Sequence, residues 1–256
     1  MAMRERIQKV LAGRGVGSRR QVEAWIAEGR ISVNGKPAIA GQPVDERDDI
    51  RLDGRRLRLS RSEESGHRGI AYHRPAQEGV RGGTEAAPGS LEKLPRAGGH
   101  RWVPVSPLPS RDAGLELFVT DGALAAALTK RSHAIPSSFS VRVRGAFDES
   151  DIGDRLRAQA ESAGFKGRIE SATPSGGEGS NRWLQVEGTG LRTRDLRDTF
   201  EACGLEANRI MRTRYGPITM DRALARGRSR ALTEAELRSL QELAQSEATG
   251  TRMPAR

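Results

Sequence analysis

The residues best placed to do chemistry near the amino terminus are cations. Arg19 and Arg20 follow Ser18, a residue type that caps helices, so both fall in the first turn of a helix. Positive side chains there oppose the helix dipole. The arrangement makes sense if an incoming phosphate offsets that cost, because free N–H groups at a helix start already favour anions. Lys36 follows the turn dipeptide Asn34-Gly35, and Arg6 and Lys9 lie on the outer face of an earlier helical pattern. The chemistry expected of Arg19 and Arg20, set by Ser18 at that helix start, is a grip on a phosphate backbone. Other reactive residue types give less. His67, His73, His100 and His133 lack ligand spacing, so no metal is expected. Ser175-Gly-Gly-Glu-Gly179 lacks the Lys-Ser/Thr ending of a phosphate loop and reads as a turn. Cys203 is the single cysteine and reads as a small core residue, without disulfide or zinc chemistry.

Composition points the same way. Lys+Arg total 43 against 33 Asp+Glu, a net charge of +10 over 256 residues, which favours a polyanionic partner through counterion release. The first 60 residues alone hold 13 Lys+Arg against 8 Asp+Glu. No run approaches the ~20 apolar residues of a membrane helix, and Met1–Val10 is too polar for a signal peptide. A cytoplasmic location with no membrane association is expected. Aromatic residues make up 4%, which disfavours a single-strand binder built on many stacking platforms.

The elements that must position these cations are legible. Glu5–Ala12 is a short amphipathic helix with Ile7, Val10 and Leu11 on one face, ended by Gly13 and Gly15. The helix capped by Ser18 has Val22, Trp25 and Ile26 as its buried stripe and closes at Gly29. Ile31–Val33 enters a hairpin at Asn34-Gly35, and Ile50–Leu59 supplies more strand around Asp53-Gly54. Further on, Gly114–Val119, Phe139–Gly145 and Trp183–Glu187 read as strands. Asp121–Thr129, Arg192–Cys203 and Thr233–Gln245 read as helices, the last with Thr233 and Glu236 at capping-box spacing and Leu237, Leu240 and Leu243 on one face.

Arg6-Ile-Gln-Lys-Val-Leu-Ala, Gly17-Ser-Arg-Arg and Gly29-Arg-Ile-Ser-Val-Asn-Gly-Lys together resemble the S4 domain. The resemblance implies that Arg19, Arg20 and Lys36 face RNA backbone, with Arg6 and Lys9 nearby. The later region resembles the bacterial ribosomal RNA pseudouridine synthases that carry an S4 domain, above all the large-subunit branch. Tyr72-His-Arg-Pro75, Gly114–Gly122, Val141–Val143, Ser175–Gly179 with Asn181-Arg-Trp183, Arg192–Arg197 and Arg209–Gly216 carry it, in family order. Arg192, Arg194 and Arg197 are then expected as a second RNA contact. Such enzymes flip a uridine out of its helix and isomerise it without metal or organic cofactor. They use one aspartate, a stacking tyrosine, and a basic residue near the C-terminal strand that pairs with the aspartate.

This chain departs from that pattern. The family motif Gly-Arg-Leu-Asp aligns with Ser106-Pro107-Leu108-Pro109. Pro109 thus stands at the aspartate, Pro107 at the arginine that holds the target nucleotide out, and Phe139 at the tyrosine. Proline has no ionisable group, and none of the three is offered as catalytic. Asp112 is either a displaced carboxylate or an ordinary solvated turn residue.

The expected architecture is α+β: an S4-like domain over 1–60, a linker over 61–69, a pseudouridine-synthase-like domain on a largely antiparallel sheet over 70–230, and a C-terminal helix with a disordered tail over 231–256. The expected role is that of a monomeric, ribosomal RNA-binding family member with impaired catalysis. The alternatives are a working synthase that uses Asp112 and, more distantly, a translation-stress factor acting on ribosomal or transfer RNA.

Overall fold

Two dipeptides set the shape of the first unit. Asn34 and Gly35 both take positive φ (52° and 80°), and so do Asp53 and Gly54 (50° and 76°). This is the backbone of the type I′ turn, whose twist matches that of a hairpin. The computed structural model describes residues 4–14, 16–45, 47–57, 68–81, 89–98, 100–178 and 181–246. Most of the expected linker (61–67) and the tail beyond Ser246 lie outside the described residues.

The chain divides into two compact units. One is Met1–His67 with Pro95–Trp102 and Thr120–Gly122; the other is Arg68–Leu94, Val103–Val119 and Ala123–Arg256. In the first, β1 (Glu5–Arg6) leads into α1 (Ile7–Gly13), followed by α2 (Arg19–Ala27), β2 (Ile31–Val33), β3 (Lys36–Pro37), β4 (Pro43–Val44), β5 (Ile50–Leu52) and β6 (Arg55–Arg56). Four strands form an antiparallel sheet in the order β3-β2-β5-β6, and β1 pairs with β4. Ile7, Leu11, Val22, Ile26, Ile31, Val33 and Ile50 form its core. Trp25 departs from the expected stripe: it is half-buried, with the Arg30 guanidinium 5.6 Å from its ring centroid. A side chain at Gly17 would sit 2.8 Å from the same ring. The glycine therefore lets the indole lie against the chain.

The second unit is built on one large sheet. Its elements are β7 (Gly69–Arg74), α3 (Ser90–Lys93), β8 (Val103–Val105), β9 (Ala113–Val119), α4 (Gly122–Lys130), β10 (Pro136–Arg144), α5 (Ile152–Ser162), β11 (Arg168–Glu178), β12 (Asn181–Thr189), α6 (Thr193–Ala202), β13 (Glu206–Tyr215), β14 (Ile218–Thr219), β15 (Ser229–Ala231) and α7 (Glu234–Gln245). The main path runs β11-β12-β10-β13-β9-β7-β15. All its pairs are antiparallel except β9 with β13, as a largely antiparallel sheet requires. One core gathers Phe139, Val141 and Val143 with α5 and α6; a second gathers Leu115, Leu117 and Val119 with α4 and Leu240 of α7.

Several details differ from the sequence reading. Gly69, assigned to the linker, already begins β7. Helix α5 was not among the expected helices. Ser175–Gly177 do not form a turn but continue β11 through an irregularity between Pro174 and Gly176. Gly176 and Gly177 take φ of 125° and 100°, which lets the ladder continue where an L side chain would be strained. Cys203 is half-buried at the end of α6, packed at the edge of the first of these cores rather than inside it.

Candidate functional site

In the first unit the cations are where the sequence puts them. Ser18 closes a capping box: its Oγ accepts from Gln21 N at 3.1 Å, and its own N–H donates to Gln21 Oε1 at 2.9 Å. This fixes the start of α2, so Arg19 and Arg20 emerge exposed in its first turn. Lys36 is exposed directly after the turn. That turn is held by Asn34, whose amide donates to Asp48 Oδ1 at 2.7 Å and whose Oδ1 accepts from Asp49 N at 2.8 Å. Arg6 is exposed, whereas exposed Lys9 is shared with Glu5 one helical turn away. Arg30, not singled out in the sequence, is held by Asp53 through a two-point contact at 2.8 and 2.6 Å.

The second unit has a cleft of about 280 Å³. Its walls include the loop Ser106–Pro109, Phe139 of β10, the start of α6 at Arg192–Arg194, and Arg212 and Tyr215 of β13. Pro107, Pro109 and Phe139 therefore meet in one place, as their alignment to a common site requires. Among the described residues no carboxylate lines the cleft, while three arginines do.

The loop is held by its backbone. Arg212 donates through Nε to the Leu115 carbonyl at 2.8 Å and through Nη1 to the Ser106 carbonyl at 3.0 Å. Arg74 donates to the carbonyls of Pro109 (2.6 Å), Asp112 (3.1 Å) and Glu78. Ser106 takes φ of +47°, keeping a left-handed turn where the family motif has glycine. Gly114 is required for another reason: at φ +104° its added Cβ would lie 2.2 Å from the Arg212 carbonyl. That contact is where β9 runs parallel to β13.

Charge beneath the loop is balanced unevenly. Arg74 pairs with Glu116 at 2.8 Å, and both side chains are fully buried. Burial pushes the Glu116 carboxyl up, while Arg74 and Arg212 pull it back down. Burial likewise lowers the Arg212 guanidinium, and the Glu116 charge partly restores it. Arg212 is 3% exposed, and its Nη2 has no hydrogen-bond partner among the described residues. The guanidinium lies 4.9 Å from the Tyr215 ring centroid; burial raises the Tyr215 phenol.

Asp112 is not a solvated turn residue. Its side chain is fully buried, and Oδ1 accepts from Arg197 Nη2 at 2.5 Å. It is not among the residues lining the cleft. The same contact turns Arg197 inward, leaving Arg192 and Arg194 as the exposed cations of that segment. Arg194 reaches toward Asp198 at 3.8 Å. The sequence reading named the strand Arg209–Gly216 but not Arg212 within it, and it did not single out Arg74 or Glu116. Strand alternation was the available signal, since Arg212 shares the inward side with Ile210.

Comparison with known proteins follows the same division. Residues 5–50 match the S4 domain family. The fold of the chain resembles a crystal structure of pseudouridylate synthase, with a TM-score of 0.54 at 18% identity, covering 92% of this chain and 99% of that one. An S4 domain joined to a synthase-type fold defines the class. Over 247 residues the chain is 39% identical to ribosomal large subunit pseudouridine synthase B of Escherichia coli strain K12, covering 94% of this chain and 84% of the relative. It is 40% identical over 231 residues to the Salmonella typhimurium protein of that name, covering 88% and 78%. Against the Pseudomonas aeruginosa protein identity is 39%, and the chain spans 62% of that relative's length. The chain belongs to the S4-containing ribosomal RNA pseudouridine synthase family.

Proposed function

We propose that this protein binds ribosomal RNA through its S4 domain, and that the isomerisation its relatives are named for is impaired in it. The observation that carries the reading is the cleft wall. Pro109 stands where the family aligns its aspartate, and no lining residue supplies a carboxylate. A group that must act on a nucleoside has to lie within bonding distance of it. Asp112 is buried, paired with Arg197 and outside the lining, so it gives little support to a displaced-carboxylate mechanism. Binding is supported by exposed Arg19, Arg20 and Lys36 on a matched S4 domain, with Arg6 and Lys9 beside them in sequence and Arg192 and Arg194 as a second contact. Backbone recognition of folded RNA by shape is the mode such a surface suits. No described helix is long and apolar enough to cross a membrane, and a cytoplasmic role on ribosomal RNA fits the reading.

The test is a pseudouridine map of ribosomal RNA from cells with and without the gene. An unchanged map is expected; loss of one modified site overturns the impairment, and Asp112→Asn should then abolish that modification. Binding is read separately. Arg19→Ala with Arg20→Ala should weaken RNA affinity about tenfold and lower the salt slope by roughly 1 to 2. If neither changes, the contact surface lies elsewhere.

A further inference from the structure

We infer that the cleft of the second unit is a phosphate-binding site, with the oxyanion held by Arg212 together with Arg192 and Arg194. Four observations converge on it. Arg212 is buried at 3% exposure, lines the cleft and keeps one nitrogen without an acceptor among the described residues. A buried guanidinium N–H left unsatisfied is costly and rare, and it marks a place where an acceptor belongs. Second, the buried charges do not cancel. Arg74 and Arg212 face Glu116, while Asp112 is taken by Arg197 and the neighbouring buried Glu78 by Lys93, which leaves one cation in excess. Third, Arg192 and Arg194 add two more guanidiniums to a wall without acids. Asp195 of the same turn and Asp198 one turn on are outside the lining.

Fourth, α6 starts at this wall. Its N-cap is Arg192, which makes no side-chain cap hydrogen bond, so the N-cap gives the first-turn N–H groups no side-chain acceptor. Such a helix start attracts anions on its own weakly; here it lines the same cleft as Arg212. Guanidinium matches the geometry of phosphate oxygens. Leu108, Leu191 and Phe139 supply apolar wall beside the charge, and about 280 Å³ is near the lower range of small-ligand sites. The ligand class is therefore a phosphate carried on a nucleoside. Its source is either a free nucleoside monophosphate or the phosphodiester of a bound RNA. The inference rests on the reading of the cleft as one without a carboxylate.

The experiment uses the full chain and follows thermal shift and calorimetric binding. The probes are inorganic phosphate, uridine 5′-monophosphate, a dinucleoside phosphodiester and uridine, at matched ionic strength. Saturable binding of the phosphate-bearing probes but not of uridine is expected. A monophosphate preference points to a free nucleotide, and a diester preference to RNA. Pro109→Asp places a competing carboxylate in the same wall and should reduce phosphate affinity at least about tenfold, whereas Pro109→Ala should stay within about threefold. Arg192→Ala with Arg194→Ala changes exposed residues and should also weaken binding about tenfold. No saturable phosphate binding, or equal binding by wild type and Pro109→Asp with the fold intact by circular dichroism, overturns the inference. RNA affinity through the S4 domain is measured on the same proteins. Loss of phosphate binding alone sinks this site, while a changed pseudouridine map sinks the reading beneath it.

Discussion

The two units use arginine in opposite ways. In the first, Arg19, Arg20 and Lys36 stand on the surface, where a cation grips a partner by neutralising phosphate and releasing counterions. In the second, Arg74 and Arg212 are buried and each donates to two carbonyls of the segment Ser106–Leu115. One set is free to meet a partner; the other builds the wall of a cleft. Removing a surface cation should leave the fold intact, and removing a buried one should not.

The largest expected effect tests the buried side. Arg74→Met leaves Glu116 without its ion-pair partner and frees two loop carbonyls, of Pro109 and Asp112, together with that of Glu78. It should cost about 3–5 kcal/mol in denaturant unfolding, and Glu116→Leu added to it should recover part of that loss. A cost below about 1 kcal/mol would mean that the loop holds itself. Next comes the positioning of the surface cations. Ser18→Ala removes one half of the capping box and should cost about 1 kcal/mol of stability while weakening RNA binding less than the loss of Arg19 and Arg20 does. An equal loss of affinity would show that Ser18 itself touches RNA.

The smallest effect concerns pH. Arg230 donates to Glu236 at 2.7 and 2.8 Å, and this holds the Glu236 carboxyl below its usual range. A depressed carboxyl contributes stability above its unfolded pKa and loses it as pH falls through the folded one. Glu236→Gln should therefore lower the melting temperature by a few degrees at pH 7, with the gap from wild type closing as the carboxylate range is crossed. A gap independent of pH would assign the effect to the capping box alone.

The same contrast explains what was legible in the sequence. The first unit is local: a cap, a stripe and two turn dipeptides lie within a few residues of what they organise, so α1, α2 and both hairpins are readable directly. The cleft joins Arg74, Glu116 and Arg212, which are far apart in the chain. Its strands gave a warning of another kind. Every residue of β7 and β9 is buried, so a charge in either strand must find a buried partner. Arg74 and Glu116 are those charges, yet their pairing depends on strand order, which spacing along the chain does not carry. The inward turn of Asp112 and Arg197 was hidden for the same reason, because they lie 85 residues apart in sequence.

The loop Ser106–Asp112 is fastened by its carbonyl oxygens, with Gln77 N donating to the Ser110 carbonyl at 2.7 Å as a further tie. Carbonyls are common to all residue types. Such a frame tolerates exchange of its side chains without losing its course, and it separates the heredity of shape from that of chemistry. A lineage can therefore lose a reactive group at position 109 in one substitution and keep the cleft, leaving a finished hollow open to selection for a different occupant.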